Sequence, residues 1–147
     1  MIPSFFLAHI YYWGEIHRKN MGRERADFIS PAASAAKENI PFTLHQDTPV
    51  IKPDMLETVW CAVQRKTKEG HLMGEEERIS LLQALQAVTI NGAYEYSEEL
   101  QKGTIQKGKK ADFVILDQNP METDLDAVPK IQVLATIKEG KVIWKKE

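Results

Sequence analysis

The sequence predicts an α/β fold made of a strand–helix–strand unit followed by a β-rich tail, and three observations predict it. The run PFTLHQDTPV at Pro41–Val50 is apolar and then ends abruptly in His45, Gln46 and Asp47. Barrels and doubly wound sheets deliver polar groups in this way, just past the carboxyl end of a parallel strand that is buried on both faces. From Ile2 to Leu44 the order reads strand, helical excursion, strand, which is a βαβ unit. Beyond Glu98 helical periodicity disappears and short β-prone runs alternate with turn residues.

Composition bounds the function classes. With 147 residues, 43% hydrophobic and 27% charged, the chain is long enough for one domain-sized core. The balance of 19 basic against 21 acidic residues, a formal charge of −2, exerts no net pull toward nucleic acid or an anionic membrane surface. Cys61 is the single cysteine, which excludes an internal disulfide and a thiolate zinc cluster. No apolar run approaches the roughly 20 residues of a membrane span, and Met1–Ile10 lacks the basic start of a secretion signal. The chain reads as cytoplasmic.

Taken in order, Ile2–Leu7 reads as a buried strand ending at His9, followed by the aromatic cluster Tyr11, Tyr12, Trp13. That cluster either lines a pocket or packs under a loop, and His9 is either a site residue or a hydrogen-bonded wall histidine. A strand that starts at residue 2 is expected where a chain is cut from something longer. Glu15–Arg25 mixes both charges around Gly22 and reads as a solvated loop with a short helix, not a phosphate track. Ser30-Pro31 has the form of a cap before a short helix at Ala32–Lys37, which Asn39 ends. Phe42, Thr43 and Leu44 form the second strand, and Asp47 is the delivered group. Asp47-Thr48-Pro49 also has the makings of a plain turn.

Pro53-Asp54 starts a helix in which Met55, Val59 and Val63 recur at i, i+4 and i+8. Cys61 lies among them as a small buried hydrophobe. Lys66–Gly74 is a polar loop with a solvent-facing His71. A capping box at Ser80 and Gln83 opens the next helix, with Leu81, Leu85 and Val88 on one side. Thr89–Tyr96 continues as a short helix. In the tail, Gly103-Thr104-Ile105, Asp112–Asp117 and Val133–Lys145 read as strands, the last folding into a hairpin about Glu139-Gly140. The apolar residues of Ala111–Leu116 point both ways and expect cover on both faces. Three or four strands in this tail make a poor independent core, so partner strands are expected from elsewhere.

The ordered set of His9, YYWG, the His45-Gln46-Asp47-Thr48-Pro49-Val50 turn, ALQAVTINGAYEY, KGTIQKGKKADFVILDQNP and the closing EGKVIW hairpin resembles the carboxyl-terminal part of the amidohydrolase superfamily, in its N-substituted formamide deformylase-like branch. The resemblance covers nearly the whole chain. It implies an incomplete fold: the last two β/α units of a TIM-like (β/α)8 barrel in residues 1–98, with Ser4–Leu7 and Phe42–Leu44 as the seventh and eighth strands. Residues 99–147 would be part of a small composite β-sandwich. It implies that Asp47 is the catalytic aspartate, binding the metal or taking a proton from the attacking water, and that His9 faces the substrate. Gln46 departs from the family's commoner His-Ser-Asp. A divalent metal, zinc first, is implied for the full-length parent, whose paired amino-terminal histidines, bridging lysine and strand-five and strand-six histidines have no counterpart in this chain. The four histidines His9, His17, His45 and His71 have no ligand-like spacing, so this chain alone is expected to hold metal feebly and to be inactive.

The reading that follows is a fragment, expressed as such or from an interrupted gene, of a metal-dependent hydrolase acting on amide, formamide or cyclic amide C–N bonds of a small molecule. The alternative is a non-enzymatic binding or regulatory module derived from the same fold. In both, uncovered strand edges predict a homo-oligomer, with the alternating Val133, Ala135 and Ile137 strand as the longest candidate edge.

Overall fold

The computed structural model describes residues 1–147. A short strand β1 (Ser4–Phe5) leads into helix α1 (Ala8–Met21), then α2 (Arg23–Asp27), α3 (Ala32–Lys37) and strand β2 (Thr43–Leu44). Strand β2 lies parallel to β1 with Ser4 opposite Thr43 and Phe5 opposite Leu44. The ladder extends past both strands, because Thr43 N donates to Pro3 O at 3.0 Å and His45 N to Phe5 O at 3.1 Å. The βαβ order read from the sequence is therefore present.

Helix α1 corrects the expectation at His9. The chain leaves β1 and turns at once into a helix of 14 residues, so His9 and the Tyr11–Trp13 cluster stand in its first turns and not at a strand end. Glu15–Met21 is the second half of that helix, and only α2 remains of the expected charged loop. The start is hidden because the residue before the helix is Leu7, with no side-chain cap. Gly14 lets α1 lie close to the loop after α4: a Cβ there would stand 2.7 Å from Thr67 Cγ2 and 2.8 Å from Met73 Sδ. Ser30 does not cap α3; its φ is +52° and its carbonyl accepts from Arg65 Nη1 at 3.0 Å.

Helix α4 (Met55–Gln64) is capped by Asp54, which accepts from Leu56 N and Glu57 N at 3.1 Å each. It buries Thr58, Val59, Cys61 and Ala62; of the expected stripe only Val59 is fully buried, Val63 being half-buried and Met55, in the first turn, exposed. Burial, with Glu57 and Asp54 nearby, pushes the Cys61 thiol up, away from nucleophilic use. Arg65, at φ +46°, ends the helix and is fully buried. Its guanidinium group donates to the carbonyls of Met73, Ser30, Asp27 and Ile29 at 2.9–3.0 Å, and burial lowers its pKa to about 10. Nearby, buried Glu77 accepts from Ser34 N at 2.8 Å and from the Ser34 hydroxyl. Helix α5 (Leu81–Ala87) opens with the expected capping box, and α6 (Ile90–Glu95) follows. Together these elements enclose one cluster of 16 buried residues running from Leu7 to Ala87.

The tail is an antiparallel sheet in the order β3 (Phe113–Leu116), β4 (Val133–Lys138), β5 (Lys141–Lys145). Two expectations fail here. Residues 103–105 form no strand but bend, with Gly103 at φ +92° so close to α6 that a Cβ would lie 2.9 Å from Ile90 Cα. Val133, Ala135 and Ile137 sit on the central strand, not on an edge. The β4–β5 hairpin turns through Glu139 and Gly140, both at positive φ (+49° and +76°), as a primed two-residue turn requires. A 310 turn at Leu125–Lys130, not evident from the sequence, buries Val128 against α4. Its Asp126 accepts from Gln64 Nε2 at 2.9 Å. No helix is long and apolar enough to cross a membrane.

Candidate active site

Asp47 is on the turn past the carboxyl end of β2, exposed, at φ +53°. Its carbonyl accepts from Val50 N at 2.9 Å. It is therefore a turn residue in its backbone and a presented carboxylate in its side chain; the two readings of the sequence are compatible. The preceding residue explains how the turn is held. Gln46 is buried, and its side-chain amide makes both possible bonds to the backbone of Asp54, donating from Nε2 to the carbonyl and accepting at Oε1 from the N–H. The loop from residue 47 to 53 is thus pinned at its base between β2 and the cap of α4.

His9 faces the same end of the parallel pair. Its ring lies 4.8 Å from Phe6 and 5.0 Å from Trp13, and Phe6 in turn lies 5.3 Å from His45. Burial lowers the His9 pKa most, His17 and His45 lower it further, and the negative charge of Asp47 opposes them. Two of the residues singled out in the sequence are thus linked by charge, since His9 feels Asp47, and Phe6 packs between the rings of His9 and His45. His71 is not part of this group. It stands 2.9 Å from Glu15 Oε1, and its bond and that of Thr67 lower the Glu15 carboxyl.

His17 lies in the Glu15–Arg25 stretch whose mixed charges read as solvated. Its Nε2 lies 2.9 Å from His9 Nδ1. The signal was present: His9, Trp13 and His17 recur at i, i+4 and i+8, one face of a helix, legible only once α1 is known to start at Ala8. Beside the Asp47 loop, Tyr12, Trp13, Val50, Ile51, Lys52 and Glu57 border an open hollow of about 560 Å³. Tyr12 donates to Glu57 Oε1 at 2.8 Å, and burial together with that bond pushes its pKa up to about 12.

The metal implied by the resemblance finds no cage among these residues. Asp47 offers one carboxylate, and no three His, Cys, Asp or Glu side chains converge with the geometry to hold an ion. The donor set of this chain alone does not fit a resident divalent metal.

Residues 1–144 match the model of the amidohydrolase family. The chain is 28% identical over 129 residues to an N-substituted formamide deformylase of Arthrobacter pascens, covering 87% of this chain and 24% of that protein. It is 34% identical over 128 residues to the protein LONG AFTER FAR-RED 3 of Arabidopsis thaliana, covering 86% of this chain and 22% of that one. It thus spans about a quarter of the length of these relatives. Among solved structures, a guanine deaminase from Bradyrhizobium japonicum superposes with a TM-score of 0.66 over 99% of this chain and 38% of that one, at 16% identity, a likeness of fold. The match along nearly all of its length places the chain in the amidohydrolase family.

Proposed function

We propose that this chain is the Asp47-bearing part of a hydrolase that cleaves non-peptide C–N bonds, an amide, formamide or cyclic amide, in a small molecule. The observation that carries the reading is the presentation of Asp47 on a turn whose base is clamped by Gln46, with its charge felt at His9. A carboxylate there accepts the proton of the attacking water as the tetrahedral centre forms, and then returns it to the departing nitrogen. The stack of Phe6, His9 and Trp13 gives the substrate a rigid wall, and His9 offers it a ring nitrogen. Family membership supports C–N hydrolysis over the binding-module alternative. A divalent metal ion, zinc first among the candidates, enters this reading only as a constituent of the longer enzyme, with Asp47 the one ligand these residues would offer and the rest from outside them. Alone, the 147-residue chain is expected to be silent.

In the same reading, β1 and β2 are the last two strands of a (β/α)8 barrel, residues 99–147 belong to a composite β-sandwich, and the edges of β3 and β5 take strands from other chains or from the rest of the protein. The parallel pairing of β1 with β2 and the exposed apolar faces of β3 and β5 support it. The test is Asp47→Asn in the active enzyme that contains these residues. The fold should persist and kcat should fall by about 10²- to 10⁴-fold, since an amide cannot take the water's proton. Near-normal kcat would reduce Asp47 to a turn residue.

A further inference from the structure

The contact between His9 and His17 carries an inference about which atom of His9 works. The two ring planes are nearly parallel, inclined by 19° with centroids 4.8 Å apart, and His9 Nδ1 lies 2.9 Å from His17 Nε2, within hydrogen-bond reach. Two neutral imidazoles at this distance share one hydrogen, so one ring donates and the other accepts. There are two ways to place it. If His9 donated, both rings would have to carry their proton on Nδ1. If His17 donates, both carry it on Nε2, the form favoured by an isolated neutral side chain. Only the second arrangement satisfies the bond without forcing either ring into its less stable tautomer.

Phe6 and Trp13 flank His9 at 4.8 and 5.0 Å, so the ring has little room to flip and exchange its nitrogens. With Nδ1 engaged by His17, the nitrogen left for the site is Nε2. We propose that His17 is a positioning residue: it donates Nε2–H to His9 Nδ1, fixes the tautomer of His9, and so makes His9 a hydrogen-bond donor, through Nε2–H, to the oxygen of a substrate carbonyl. An oxygen that gains negative charge as water adds is what such a donor stabilises. This deepens the proposed hydrolase reading and rests on it for the identity of the substrate oxygen. The arrangement of the pair itself does not.

The test has two arms. In the histidine-labelled full chain at about pH 8, well above the ordinary imidazole range, long-range nitrogen–proton NMR correlation should find His9 and His17 both as Nε2–H tautomers. His17→Gln, whose amide can still donate to Nδ1, should keep His9 wholly Nε2–H; His17→Phe should release it to the tautomer mixture of an unrestrained ring, with Nδ1–H appearing as the minor form. A His9 protonated on Nδ1, or a His9 pattern indifferent to His17→Phe, overturns the proposal. In the active enzyme, His17→Phe should lower kcat roughly 10- to 100-fold with KM little changed, and His17→Gln should restore most of it. If His17→Phe keeps kcat within about twofold while Asp47→Asn abolishes turnover, this proposal fails and the hydrolase reading stands. If Asp47→Asn is active, the reading of the site fails whatever the NMR finds.

Discussion

The two halves of the molecule close themselves to different degrees. From Leu7 to Ala87 a single buried cluster of 16 residues is sealed by side-chain-to-backbone bonds, with Arg65 alone holding four carbonyls from two segments, Asp27–Ser30 and Met73. From Glu99 onward the buried apolar residues are Val128, Ile131 and Ala135, whereas Val114, Val142 and Ile143 are each more than half exposed. The first half is specified by polar bonds made inside a core, where each is costly to lose. The second is specified by a ladder of backbone bonds and a turn, with its apolar faces turned outward. Substitutions should therefore report on stability in the first half and on association in the second.

The largest expected effect is at Arg65. Arg65→Met keeps volume but leaves four carbonyls without donors, and at about 1 kcal/mol or more for each it should cost on the order of 4 kcal/mol in urea unfolding. A loss below about 1 kcal/mol would mean that water replaces the guanidinium group and that the first half is not sealed. Next comes Asp54→Ala, which removes the cap from α4 but spares the backbone bonds to Gln46; thermal unfolding should register about 1 kcal/mol.

A shallower effect is expected with pH. The His9 pKa in the fold is below its ordinary 6.5, chiefly by burial, with His17 and His45 adding to it and Asp47 opposing. The unfolded chain therefore binds the proton first. The stability linked to neutral His9 is complete above pH 6.5 and is lost as pH falls from there through the lowered folded value. His9→Phe should flatten this part of the stability–pH curve, and an unchanged curve would show the ring to be solvated in the fold. The smallest effect is at Val142, 61% exposed on edge strand β5. Val142→Thr should change unfolding free energy by no more than about 0.5 kcal/mol while lowering the average mass seen by light scattering at micromolar protein. A cost well above that in a monomer would mean that the tail covers its own faces.

What the sequence made legible follows from which signals are local. Helices α4 and α5 announce themselves because Asp54 and Ser80 are caps that sit directly before a periodic apolar run. The Asp47 turn and the Glu139-Gly140 hairpin are legible because Pro, Asp and Gly fix backbone angles within a few residues. Helix α1 was not, because its start has no polar cap and its aromatic residues favour strands in isolation. His17 then went unseen with it. The bonds of Arg65 join residues 27 to 73, and no pattern within a window of one helix or strand carries them. The central place of β4 was hidden for the same reason, since strand order depends on where β3 pairs.

The clamp at the base of the Asp47 loop has a consequence for which residues can be exchanged there. Gln46 bonds to the main chain of Asp54, not to its carboxylate, so the two positions are under unequal restraint. Position 54 can drift among aspartate, asparagine, serine and threonine, each of which caps a helix, without disturbing the clamp. Position 46 cannot drift so freely: a shorter side chain such as serine does not reach the same carbonyl and N–H together. A relative with serine at that position must hold its aspartate by another route, and grafting that serine into this chain should loosen the turn even though position 54 is untouched.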